Sequence, residues 1–237
     1  FCLTMGRELM STVKEDETLT FLVADLLNNA SELVDDDQDA RNDLVLINEK
    51  ASKLSLSRAA YSSATHYLRS AIELQHPEGW TNDYTFTLDL HNRLAMAACN
   101  ACDYGLCSQT VLSIRRNARC VRDKQSAYLA QIHGLTLDGN YNEAVQIGFE
   151  ALSELGAKLK AKPSMVILAS RILRTRWALL AKFRSDLMSL PKMEDWKKAS
   201  SLEILEELAS AIFVQQDKAL ILQQYETMMS YSLKYGR

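Results

Sequence analysis

Four cysteines lie close together near the middle of the chain, at Cys99, Cys102, Cys107 and Cys120, with Cys2 apart from them. Cys99 and Cys102 have the two-residue spacing that zinc sites use, but zinc also needs a knuckle or paired elements to bring its thiolates together. Cys99 falls inside the apolar run LAMAACNA, and Cys107 takes a small-residue position of a helical pattern. These thiols are read as small buried hydrophobes, free of disulfides in a reducing compartment, and no metal is expected. The run Asp35-Asp36-Asp37-Gln38-Asp39 opens like a calcium loop. Its sixth position is Ala40 rather than glycine and its twelfth is Leu46 rather than glutamate, so the sharp turn and the bidentate ligand are both missing. The four histidines, His66, His76, His91 and His133, form no HExxH pair. Asp89 and His91 suggest a base with its orienting carboxylate, but no nucleophile stands in a recognisable motif. Phosphate-binding, dinucleotide and nucleophile-elbow patterns are absent from the sequence. No catalytic or cofactor-binding residue is expected.

The surrounding elements read as helices. Only three prolines and eight glycines interrupt 237 residues, of which 47% are hydrophobic and 24% charged. That is ordinary globular composition with few chain breakers. Apolar spacing predicts about ten helices, over residues 17–34, 35–54, 57–74, 83–101, 104–118, 122–137, 141–155, 163–184, 194–214 and 217–235. Pro163 is expected in the first turn of its helix. No stretch joins β-branched enrichment to period-two alternation, so no strand is expected. No apolar run approaches the length of a membrane span, and no membrane partner is expected.

The segment LTLDGNYNEAVQIGFEAL shows how the helices are joined. Asp138-Gly139-Asn140 stops one helix, and Ala144, Gly148 and Ala151 follow at helical spacing in the next. The same pattern recurs twice upstream. Tyr61 is followed by Ala64, Leu68 and Ala71, and Tyr104 by Cys107, Val111 and Ile114, as Tyr141 is by Ala144, Gly148 and Ala151. The tyrosines stand 43 and 37 residues apart, and each opens a helix that follows another. This is the pattern of a helix–turn–helix repeat, with an aromatic wedge and small residues that let paired helices approach. Gly139 is expected in the left-handed conformation. The fold class is therefore all-α: a right-handed superhelical array of stacked antiparallel helix pairs, an α-solenoid.

These positions resemble a tetratricopeptide-like array with irregular spacing. Over about residues 20 to 236, the ordered segments ADLLNNASELV, ASKLSLSRAAYSSATHYLRSAIEL, NYNEAVQIGFEALSELGAKLKAKPS, LPKMEDWKK and MMSYSLKYG resemble a more particular region. It is the helical part that follows the signal-transducing, AAA-related ATPase domain of large multi-sensor serine/threonine and histidine kinases. The resemblance implies a non-catalytic cytoplasmic segment. It would serve intramolecular regulation and protein–protein interaction, with its own flanking ATPase and signalling domains as partners. The alternative is a stand-alone adaptor that binds a separate protein or peptide. FCLTMGRELM, without an initiator methionine or a signal peptide, reads as the edge of a longer chain. Residues 1–16 are taken as the residue of an upstream domain or linker, and 17–237 as the array, truncated at its C-terminal end.

One charged stretch stands out. The net charge is −3, yet residues 158–198 hold eleven Lys/Arg against three Asp/Glu, leaving sixteen against twenty-seven elsewhere. On its helix, Arg171, Arg174 and Lys182 share a stripe. Leu168, Ile172, Leu179 and Phe183 are expected on the buried side, with Trp177 anchoring a flank. A solvated outer face is the first reading of the stripe and docking onto an acidic protein surface the second. Nucleic acid comes last, since interleaved aromatics and overall basicity are missing.

Overall fold

A computed structural model describes residues 17–31, 38–75, 78–157, 159–182 and 190–236. The described residues are mostly helical and contain no strand. Twelve helices run as α1 Glu17–Asn28, α2 Gln38–Ser57, α3 Tyr61–Leu74, α4 Gly79–Asn82, α5 Tyr84–Asn100, α6 Tyr104–Asn117, α7 Gln125–Leu137, α8 Tyr141–Glu154, α9 Met165–Lys182, α10 Trp196–Glu207, α11 Ala209–Val214 and α12 Lys218–Tyr235. Consecutive helices pack in pairs, which makes an all-α helical-repeat array. The chain divides into two compact units at Arg119–Cys120. The expected segment 1–16 lies outside the described residues, as do Asp35, Asp36, Asp37, His76 and Phe183.

In the first unit, α2 packs on α1 and α3, and α5 on α3, α4 and α6. Val23, Ala24, Leu27, Leu44 and Ala51 make one buried cluster with Tyr67. Ala64, Leu68 and Ala71 make another with Val45, Leu90 and Leu94. Polar ties fix the register of this unit. Buried Asn48 exchanges amide hydrogen bonds of 2.7 and 2.8 Å with Asn28. The Tyr67 hydroxyl donates to Asp25 at 2.9 Å. Burial, with that carboxylate beside it, pushes the Tyr67 phenol up to about 12.

In the second unit, α7 pairs with α8, α10 packs on both, α11 lies on α8, and α12 contacts α9, α10 and α11. One core joins Tyr128, Ile132, Ala144, Ala151, Leu152 and Leu208. Gly148 is one of the buried seats. A Cβ there would lie 2.3 Å from Leu208 Cδ1 and 2.8 Å from its Cγ. Leu208 is fully buried, so moving it would press on the surrounding core. One helix was expected over 194–214, and Leu208 divides it into α10 and α11. The hydrogen bonds from Leu208 N–H to Ile204 and from Ile212 N–H to Leu208 run through the division, so it is a local irregularity where Leu208 enters the Gly148 notch.

The predicted repeat is present in the packing. After each of Tyr61, Tyr104 and Tyr141, the residues three, seven and ten places on are buried, whereas the tyrosines themselves are half-buried. Those positions are Ala64, Leu68 and Ala71, then Cys107, Val111 and Ile114, then Ala144, Gly148 and Ala151. The turn before each tyrosine also recurs. Ala59, Cys102 and Gly139 have φ of 54°, 61° and 81°. The next N–H reaches back five residues in each: Ala60 to Ser55 O at 2.9 Å, Asp103 to Ala98 O at 2.9 Å and Asn140 to Leu135 O at 2.8 Å. This is the Schellman closure, which satisfies carbonyls that the helix end leaves open. Gln216, two residues before α12, has φ 54° as well.

Two expectations are corrected at helix ends. Pro163 is not in the first turn of α9. Ser164 O accepts the first intrahelical bond, from Leu168 N–H at 2.9 Å, so Pro163 precedes the cap. The short α4 forms within a stretch expected to be loop, closed by Asp83 N–H on Gly79 O at 2.9 Å.

Candidate interaction surface

The basic stretch becomes α9, and its partner in the second unit is α12. Their contact is unlike the apolar seams elsewhere. Leu168 and Thr175 are buried on the α9 side. Opposite them, α12 buries Gln223, Gln224, Glu226 and Thr227, a polar row within a helix core. Each of these groups has a partner, as burial requires. Glu226 forms an ion pair with Arg171 and accepts the Thr175 hydroxyl at 3.1 Å. Arg171 Nη2 also donates to Thr227 Oγ1 at 3.2 Å. Gln223 bonds the backbone of Lys160, and the Gln224 amide donates to Leu205 O at 2.6 Å. The Arg171–Glu226 pair thus fixes which way α9 rolls on α12.

That roll decides what α9 shows to solvent. Val166, Leu173, Trp177 and Leu180 follow one another at seven, four and three residues, a continuous stripe at helical spacing. All are exposed, Val166 by 80% and Trp177 by 67%. The stripe lies opposite the Leu168–Thr175 face. Exposed Arg174 and Arg176 run along its two sides. Beside it, Ile172, Thr175, Arg176 and Leu179 of α9 and Leu222, Tyr225, Glu226 and Met229 of α12 line a groove of about 210 Å³ whose open surface is mostly apolar. Leu222, Tyr225 and Met229 are themselves more than two-fifths exposed.

The expected docking stripe is therefore rearranged. Arg171 turns inward to Glu226 and is not available to a partner. Arg174 stands on the outer face, and Lys182 is the last residue of α9. Leu168 is buried and Ile172 and Leu179 half-buried, as their spacing predicts. Trp177 does not anchor a flank against the core but stands out in solvent. The outer apolar stripe was readable in the spacing of residues 166, 173, 177 and 180. An apolar pattern on both faces of one helix hid it.

The residues that first suggested chemistry have other engagements. Asp89 pairs with Arg93, and Arg93 also reaches Glu49 of α2 at 2.7 Å. Buried His91 donates through Nδ1 to Thr87 O at 2.8 Å, and its ring lies 4.6 Å from that of Trp80. Burial lowers its pKa from the ordinary 6.5, against the opposing effect of that hydrogen bond. His133 meets Glu207 at 2.7 Å. Cys99 and Cys107 are buried, whereas Cys102 and Cys120 are exposed, contrary to the expectation of buried thiols. Among the described residues no group of three or more His, Cys, Asp or Glu could hold a metal ion. No described helix is long and apolar enough to cross a membrane. A larger hollow of about 600 Å³ lies where the α7–α8 turn meets the α11–α12 turn. Gln215 already spans it, donating to Tyr141 O and Asn142 Oδ1 at 3.1 Å.

The fold and this surface define the class of molecule, an all-α helical-repeat array. Comparison with protein-family models, curated proteins and solved structures returns no match.

Proposed function

We propose that this chain is a non-catalytic helical-repeat segment that works by binding protein, and that it regulates a multidomain signalling ATPase or kinase of which it is part. The repeated closure and packing of α2–α3, α5–α6 and α7–α8 is the observation that carries the scaffold reading. Stacked repeats hold an extended surface in place and leave it open to a partner. The exposed stripe of α9 supports binding, because large apolar side chains gathered on one face of a held helix mark an interaction site. The signalling context rests on the resemblance of the ordered sequence segments to the helical region after an AAA-related ATPase. In this reading the array is cytoplasmic, takes no cofactor, and binds neither nucleic acid nor membrane. The adaptor alternative draws on the same groove, with a partner from a separate protein.

Calorimetric titration of the chain against the flanking part of its own polypeptide, with and without ATP, tests the proposal. Association that changes with nucleotide supports an intramolecular regulatory arm. Absence of association in both states overturns that role and leaves the adaptor. Turnover by the chain alone contradicts the non-catalytic assignment.

A further inference from the structure

We infer that Cys99 and Cys107 form an oxidation site, a facing pair of thiols that hydrogen peroxide converts reversibly into a disulfide joining α5 to α6. The inference goes beyond the protein-binding reading above and does not depend on it.

The repeat itself brings the two thiols together. Ala59, Cys102 and Gly139 hold the left-handed position in their turns, and the same backbone closure follows each. The residues three places before and five places after that position therefore fall opposite each other across each hairpin. In α2–α3 they are Leu56 and Ala64, and Leu56 packs on the core cluster that holds Ala64. In α7–α8 they are Thr136 and Ala144, and in α5–α6 both are cysteine. Cys99 is 0% exposed and Cys107 2%. The Cys99 S–H donates to the Cys107 sulfur. Thiols in such contact on facing helices have little further to move to reach a bond of about 2.05 Å.

The pair contains a nucleophile and a resolving partner. The hydrogen bond from Cys99 lowers the Cys107 thiol from the ordinary 9.0, against burial and the charge of Asp103. The Cys107 thiolate attacks the peroxide O–O bond, giving a sulfenic acid and one water. The Cys99 sulfur then attacks the Cys107 sulfur, and the expelled hydroxyl leaves with the Cys99 proton as a second water. Two thiols and one peroxide thus give one disulfide and two waters, the peroxide taking both electrons. Cys99 lies in the last turn of α5 and Cys107 in the first turn of α6. Opening of that one hairpin end admits a small oxidant. In a reducing compartment such a bond is transient, which makes it a reversible modification.

The test uses the whole chain. Accessible thiols, exposed Cys102 and Cys120 among them, are briefly capped with N-ethylmaleimide in the folded state before hydrogen peroxide is added. The protein is then unfolded, alkylated with iodoacetamide and cut with chymotrypsin after Tyr104, which parts Cys99 from Cys107. Mass spectrometry should find the two peptides linked, and the link lost on adding dithiothreitol. Cys107→Ala installs the residue that Ala64 and Ala144 supply in the sister hairpins, so it should keep the fold, as circular dichroism checks. In this variant Cys99 should be lost to peroxide roughly tenfold more slowly. Both thiols still open to iodoacetamide after millimolar peroxide would overturn the inference, as would loss of Cys99 at an unchanged rate in Cys107→Ala. Passage of Cys107 to the sulfinic acid with Cys99 intact would also overturn it, because the resolving thiol would then be out of reach.

Discussion

The α7–α8 pair and the α9–α12 pair belong to the same unit and are held together by opposite means. Ala144, Gly148 and Ala151 let α8 approach its neighbours until Leu208 fills the notch over Gly148. Between α9 and α12, an ion pair, a threonine and glutamines take the place of that apolar fit. An apolar seam is strong and tolerant of the partner's rotation. A charge pair with hydrogen bonds on both sides specifies one rotation and is costly when half of it is missing. The first arrangement makes scaffold. The second fixes which face of α9 points outward, which is what an interaction surface needs.

The largest expected effect comes from breaking the polar seam. Glu226→Ala leaves Arg171 without its counter-charge and should cost about 3 kcal/mol in urea denaturation, near the low end for a broken buried pair because Arg171 keeps some contact with water. Replacing both, as Arg171→Met with Glu226→Leu, should be close to neutral. A double variant as unstable as the single one would show that the pair contributes net stability rather than orientation. In the apolar seam, Gly148→Ala should cost about 1–3 kcal/mol by overpacking against Leu208. Its combination with Leu208→Ala should cost less than the sum of the two single changes, because they share one contact. Strict additivity in that cycle would place Leu208 out of the notch.

Smaller effects lie in the turns and in pH. Ala59 and Cys102 occupy the left-handed position that glycine holds at 139. Ala59→Gly and Cys102→Gly should each add about 0.5–1 kcal/mol by relieving the Cβ clash, and Gly139→Ala should lose about 1 kcal/mol. Thermal melts of the three variants check the signs, and a loss at Ala59→Gly would mean that chain entropy outweighs the relief. Burial keeps folded His91 neutral below the pH at which the unfolded chain protonates it. Its contribution is therefore complete above about 6.5 and is lost as pH falls from there toward its lowered folded value. Comparing wild type with His91→Gln between pH 7.5 and 5 should show the wild type losing more stability on acidification. Parallel curves would remove His91 from the acid response.

The array was legible in the sequence because its signals are local. Tyr61, Tyr104 and Tyr141 with their small residues report helix–helix approach at short range, and Gly139 reports a turn that only backbone conformation demands. The same turn at Ala59, Cys102 and Gln216 was not legible, since residues with a Cβ adopt it under the pull of packing on both sides. Nor was the α9–α12 seam. Gln223, Gln224, Glu226 and Thr227 look like a solvated face until Arg171, more than fifty residues away, is brought against them. That one pairing turned an expected docking charge inward and Trp177 outward. Leu208 was read as an ordinary mid-helix residue for the same reason, because its partner Gly148 lies on another element.

Hydrogen–deuterium exchange on this chain, free and mixed with the flanking domain proposed as its partner, tests the account most directly. Added protection should concentrate in residues 165–182 and 218–235, with the amides of α2–α3 and α5–α6 unchanged, and Trp177→Ala should abolish it. Protection confined to α2–α6, with α9 and α12 unchanged, would contradict the account.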